Sequence, residues 1–186
     1  MVMKLIIRYQ KKGPLRFISH LDVERFWRRV VRRALLSVAI SAGFSPKEKI
    51  EMGYPLPVGC ESEGEDLILE MLDPLPMEAV AERLAANLPE GITLVSVLPY
   101  QEKGSLFHRT SGLSYRVKQE LSQNTATLQK QELSQDKILT LAVENGRSPK
   151  LWEYLSREFN LPLEEVKLLK VTRIGVQYDT NPPSFI

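Results

Sequence analysis

The sequence predicts an α+β fold. Three observations carry this. Short β-branched runs with period-two alternation are interleaved with two amphipathic helical stretches over residues 1–99. A second group of short strands with one helix follows a polar, patternless stretch. And 186 residues that are 43% hydrophobic are enough for one large domain or two small ones with a real core.

Lys4 to Tyr9 is β-branched and aromatic and reads as a strand, broken by Lys11-Lys12-Gly13-Pro14. Ser19-His20-Leu21-Asp22 has the S-x-x-D form of a capping box with Ser19 as N-cap. The helix it opens should run to about Leu35, with Val23, Phe26, Trp27, Val30, Val31 and Ala34 on one face. Residues 41–46 read as loop. Ile50 to Tyr54 reads as a strand stopped by Pro55 and Pro57, and Asp66 to Leu72 as a strand paired with it through the Gly59–Gly64 connection. Pro76 is expected at the first position of a helix to about Asn87, with Met77, Val80, Ala81 and Leu84 as its apolar stripe. Pro89-Glu90-Gly91 turns the chain into a strand over Ile92 to Leu98. The resulting β-α-β-β-α-β order is the ferredoxin-like pattern.

Residues 100–112 read as a linker. Leu113 to Leu121 alternates as a half-buried strand, and two more strands are expected near 126–133 and 137–144. Ser148-Pro149 reads as N-cap and first helical residue of a helix carrying Leu151, Trp152, Leu155 and Phe159. Lys167 to Tyr178 reads as a last strand before a frayed Asn181-Pro182-Pro183 end. The expected organisation is a ferredoxin-like basic domain at 1–99, a linker at 100–112, and a smaller β-rich α+β domain at 113–186. The latter would be a second, reduced ferredoxin-like unit.

No apolar run reaches about 18 residues, and the apolar part of the N-terminus is too short for a signal peptide. A cytoplasmic protein without membrane contact is expected. The single cysteine, Cys60, cannot form an internal disulfide, hold an iron–sulfur cluster alone or build a Cys-based zinc site. No cofactor and no metal are expected.

The net charge of +2 hides an asymmetry. Residues 1–50 hold 12 Lys and Arg against 3 Asp and Glu, whereas the other 136 residues hold 13 against 20. At about 100° per residue, Arg25, Arg28, Arg29, Arg32 and Arg33 centre on the helix face opposite the apolar one. Arginine matches phosphate bidentately and stacks on bases, so such a stripe is the footprint of a polyanion binder. A solvated helix face is the plainer reading, but solvated faces usually mix signs.

The segment from Lys12 to Asp22, with the Arg-rich helix after it, resembles a bacterial family of radical-SAM-linked proteins of unknown function. Gly43-Phe44-Ser45-Pro46-Lys47-Glu48-Lys49-Ile50 is similar to that family's Gly-Phe-Asn-Pro-x-x-Lys-Ile block, with Ser45 in place of the usual Asn. Leu56-Pro57-Val58-Gly59 followed by Glu61-Ser62-Glu63-Gly64-Glu65 is the third block. The resemblance implies an accessory role beside a radical-SAM enzyme, on RNA or a ribosomal component.

The favoured expectation is a non-catalytic RNA-binding or substrate-presenting protein. Lys12, Arg16, Arg25, Arg28, Arg29, Arg32, Arg33, Lys47 and Lys49 would contact phosphate. Phe44 is expected in the core, with stacking on a base as the alternative. A metal-independent ribonuclease with His20 as acid or base beside Ser19 is the first alternative. The plainer reading there is that Ser19 caps and His20 packs locally. A protein-interaction adaptor docking an acidic partner is the second. Pro57 to Asp66 reads as a glycine-bounded acidic loop, a solvated hairpin in preference to a divalent-cation site, and Cys60 as incidental. The oligomeric state is not set by the sequence.

Overall fold

A computed structural model describes residues 3–118 and 136–179. Its first strand, β1 (Met3–Lys11), lies in the middle of the chain's first unit, and its alternation explains why. Leu5, Ile7 and Tyr9 pack with the helices, while Ile6 packs on the opposite face with Ile68, Tyr100 and Leu106. A 3-10 turn (Gly13–Phe17) leads to α1 (His20–Arg33). β2 (Ile50–Met52) and β3 (Glu61–Met71) follow, then α2 (Met77–Ala85) and β4 (Ile92–Pro99). The second unit comprises α3 (Leu106–Arg109), β5 (Thr110–Lys118), β6 (Lys137–Ala142), α4 (Leu151–Phe159), α5 (Leu163–Val166) and β7 (Lys170–Tyr178).

All seven strands form one mixed sheet in the order β4-β1-β3-β7-β5-β6, with β2 also pairing to β3. β1 joins β3 and β4 antiparallel, and β5 joins β6 and β7 antiparallel. The two units share the sheet where β3 and β7 run parallel, at Glu61–Thr172 and Ser62–Arg173, and first-unit side chains such as Tyr54 and Ile68 pack with the second. Each unit has its own core. Trp27, Val30 and Val31 of α1 and Val80 and Leu84 of α2 cover the first; Leu151 and Leu155 of α4 and Val166 of α5 cover the second. The chain is therefore α+β, as expected.

Several elements differ from expectation for identifiable reasons. β3 begins at Glu61, so the acidic run is strand and not a solvated hairpin. Its carboxylates meet arginines from distant strands: Arg8 donates Nε and Nη2 to Asp66 at 2.8 Å each, and Arg173 Nε lies 3.6 Å from Glu65. Residues 100–112 contain α3 and the start of β5, and Leu106, Arg109 and Thr110 are buried. Ser148 does not cap α4; its N–H donates to the Tyr54 hydroxyl, its hydroxyl donates to the Pro149 carbonyl, and Lys150 occupies the cap position. Pro76 likewise sits at the cap of α2. Residues 163–166, just ahead of the last strand, turn as α5 behind Pro162. The strand expected near 126–133 and the end at 181–183 lie outside the described residues.

Candidate nucleic-acid interface

The site starts from the capping box. The Ser19 hydroxyl accepts from the Asp22 N–H at 3.2 Å and donates to Asp22 Oδ2 at 2.7 Å, which holds the Asp22 carboxyl below its usual range. With its first turn fixed, α1 buries Val23, Trp27, Val30 and Val31 and turns its arginines outward. Ala34 ends the helix and Leu35 takes a positive φ of 51°, sending the chain back across the sheet edge.

The returning segment is a narrow loop. Ser41 N–H donates to the Lys47 carbonyl at 2.8 Å, Lys47 N–H donates to the Ser41 hydroxyl at 3.0 Å, and Lys49 N–H donates to the Ala39 carbonyl at 2.7 Å. These bonds close the neck and leave 42–46 as a tip, with Gly43 at φ 125°, a value an L side chain rarely adopts. Phe44 stands on that tip, exposed at 112% relative accessibility, and not in the core as expected. The α1 core is already filled by Trp27 and its neighbours, and the closed neck holds the tip away from it.

Glu48 was the residue that sequence reasoning missed. It is the lone acid of the loop, and it turns onto α1. Arg32 Nη2 donates to Glu48 Oε2 at 3.0 Å, with Arg32 Nε on the other oxygen, and Arg28 approaches the same carboxyl at 3.7 Å. Arg28 also bonds Glu24 and the Glu48 carbonyl. The Arg32 hydrogen bond holds the Glu48 carboxyl below its ordinary range, aided by Arg28. The loop is therefore tied to the helix by charge, and the tie shapes two adjoining clefts. One, about 290 Å³, is lined by Leu21, Glu24, Arg25, Arg28, Arg32 and Lys47. The other, about 350 Å³, shares Arg28 and Lys47 with it and continues over Glu48 and Lys49 to Glu70.

The expected phosphate contacts thus fall into two groups. Arg25 pairs with Asp22 at 3.2 Å, Arg28 and Arg32 hold Glu48, Lys49 pairs with Glu70 at 3.1 Å, and Arg16 lies 3.9 Å from Glu61. Lys12, Arg29, Arg33 and Lys47 are exposed and make no ion pair among the described residues. Among the described residues, the acids that meet the α1 arginines are Asp22, Glu24 and Glu48, all from the first fifty residues. Lys11, by contrast, is 2% exposed, with its ammonium 3.5 Å from the Ile18 carbonyl, and adds nothing to the surface charge.

Ser19 and His20 stand side by side at the start of α1, but the Ser19 hydroxyl is engaged by Asp22. His20 is half-buried, and its pKa is lowered from the usual 6.5 by burial, with Arg173 and Lys11 adding to the shift against the opposing pull of Glu24. It is neutral at pH 7. Burial also pushes the Cys60 thiol up to about 12, so it is inert at neutral pH. No group of three His, Cys, Asp or Glu arranged to hold a metal ion occurs among the described residues. Nor is any described helix long and apolar enough to cross a membrane.

Residues 4–161 match a protein family described as uncharacterized proteins conserved in bacteria, DUF2344. The chain belongs to this family. The match extends past the three sequence blocks of the first unit and takes in the interface and the second unit as far as α4, but not β7. No curated protein matches the chain.

Proposed function

We propose that this member of the family is a non-catalytic RNA-binding module that presents RNA, or a ribosomal component, to a radical-SAM enzyme. The observation that carries the RNA reading is Phe44, a fully exposed aromatic on a loop clamped beside a basic helix face. An aromatic ring on a stiff support stacks a base, while nearby cations hold the backbone phosphates. Arg29, Arg33, Lys12 and Lys47 are the cations with charge to spare. The radical-SAM partner rests on the resemblance of three sequence blocks. With one cysteine, the chain has too few thiolates to hold such an enzyme's cluster itself.

The test is fluorescence anisotropy of a labelled single-stranded RNA, titrated at several KCl concentrations. Affinity should fall steeply with salt as counterions are released, and the combined Arg29→Glu and Arg33→Glu variant should weaken binding about tenfold or more. Phe44→Ala should remove roughly 1–3 kcal/mol of binding without changing the salt slope. Affinity indifferent to salt and to all three substitutions would sink the reading.

A further inference from the structure

A cleft of about 610 Å³ opens where the two units meet, and none of its walls comes from α1. Phe17 of the 3-10 turn, Val58 of the loop before β3, and Trp152 of the first turn of α4 supply apolar surface. Phe17 is 61% exposed, and its ring is held by the Arg16 guanidinium 4.7 Å from the ring centre. Opposite, the loop backbone lies directly on the indole. Gly59 has φ 93°, and a Cβ there would come within 3.3 Å of Trp152 Cζ2. Lys150 and Lys167 complete the lining, both exposed. Lys150 has a solvent-exposed pair with Glu153 at 2.9 Å, and Lys167 makes no ion pair among the described residues.

The volume lies within the range of small-ligand sites, which combine apolar walls with a few convergent polar groups. Aromatic walls favour a planar ring. An occupant that was apolar throughout would strip water from Lys167 and give it no partner, at a cost in free energy, and would leave Lys150 only Glu153. An anionic group on the ring answers both lysines. We propose that this cleft binds a nucleoside phosphate, with the base against Phe17 and Trp152 and the phosphate on Lys150 and Lys167. This stands independently of the α1 face. The same chemistry is offered by a free nucleotide and by the phosphorylated end of an RNA.

Fluorescence tests it in the full chain. There are two tryptophans; Trp27 is fully buried, so a ligand that quenches emission on contact reports on Trp152. AMP should give a saturable quench that is absent in Trp152→Phe. Adenosine alone, inorganic phosphate alone, and AMP with the Lys150→Ala/Lys167→Ala variant should each bind at least about tenfold more weakly. No saturable response to millimolar AMP, or an unchanged AMP affinity in a lysine variant whose circular dichroism is native, would overturn the proposal. Competition then separates the sources. Displacement of AMP by a 5′-phosphorylated oligonucleotide but not by its 5′-hydroxyl counterpart assigns the RNA end. Displacement by neither assigns the free nucleotide. Equal displacement by both would overturn phosphate recognition.

Discussion

Arg29 and Arg173 are the same side chain in opposite settings. Arg29 is exposed on α1 and makes no ion pair among the described residues. Arg173, on β7, is fully buried; it donates to the carbonyls of Tyr54 at 2.8 Å and Pro55 at 2.7 Å and faces Glu65 at 3.6 Å. Burial raises the pKa of Glu65 despite that neighbour, which shows how far desolvation dominates the seam. The lesson is that this chain uses arginine for two separate jobs. At the seam, positive charge is consumed in joining the units; on α1, part of it is left over for a ligand. A count of charges along the sequence cannot tell these apart.

Substitutions at the two places should separate the jobs. The largest effect is expected at the seam. Arg173→Met leaves two carbonyls and Glu65 without their cation and should cost about 3–5 kcal/mol in urea unfolding. Adding Glu65→Gln should recover part of the loss, since the two act as a pair, and strict additivity would show that they do not. A smaller effect is expected at Glu48→Gln, which cuts the tie between loop and helix. Because the folded pKa of Glu48 is lowered, its contribution is present above the ordinary value of 4.5 and is lost as pH falls through the lowered one. The variant should therefore be less stable than the parent at pH 7 and closer to it in acid, and an equal deficit at both would refute the assignment. The smallest effect is expected at Arg29→Ala, within about 0.5 kcal/mol in stability, as for surface positions generally. A larger loss would mean that Arg29 serves the fold.

What could be read from the sequence was local. The Ser19 cap, the α1 faces, the β-α-β-β-α-β order of 1–99 and the β2–β3 pairing all follow from spacings of a few residues, and they are found. What could not be read depended on partners far along the chain. The run Glu61 to Asp66 looked solvated because its neutralising groups lie far along the chain: Arg8 is 58 residues from Asp66, and Arg173 is more than 100 from Glu65. Phe44 was expected inside because phenylalanine usually is; the neck bonds of its loop decide otherwise. Glu48 carried one faint signal, a single acid between two lysines. The cleft at Phe17 and Trp152 carried none, since its walls come from separate parts of the chain.

The two-residue parallel contact between β3 and β7 also sets an order of events during synthesis. The strands of the first unit are complete once residue 99 has emerged, but Arg173 is made more than seventy residues later. At rates of roughly 5–20 residues per second, that is a wait of several seconds. Throughout it Glu65 must remain hydrated, because Arg173, the buried cation it faces, does not yet exist. The first unit therefore begins life with a wet, open edge on β3, and β7 is the strand that seals it.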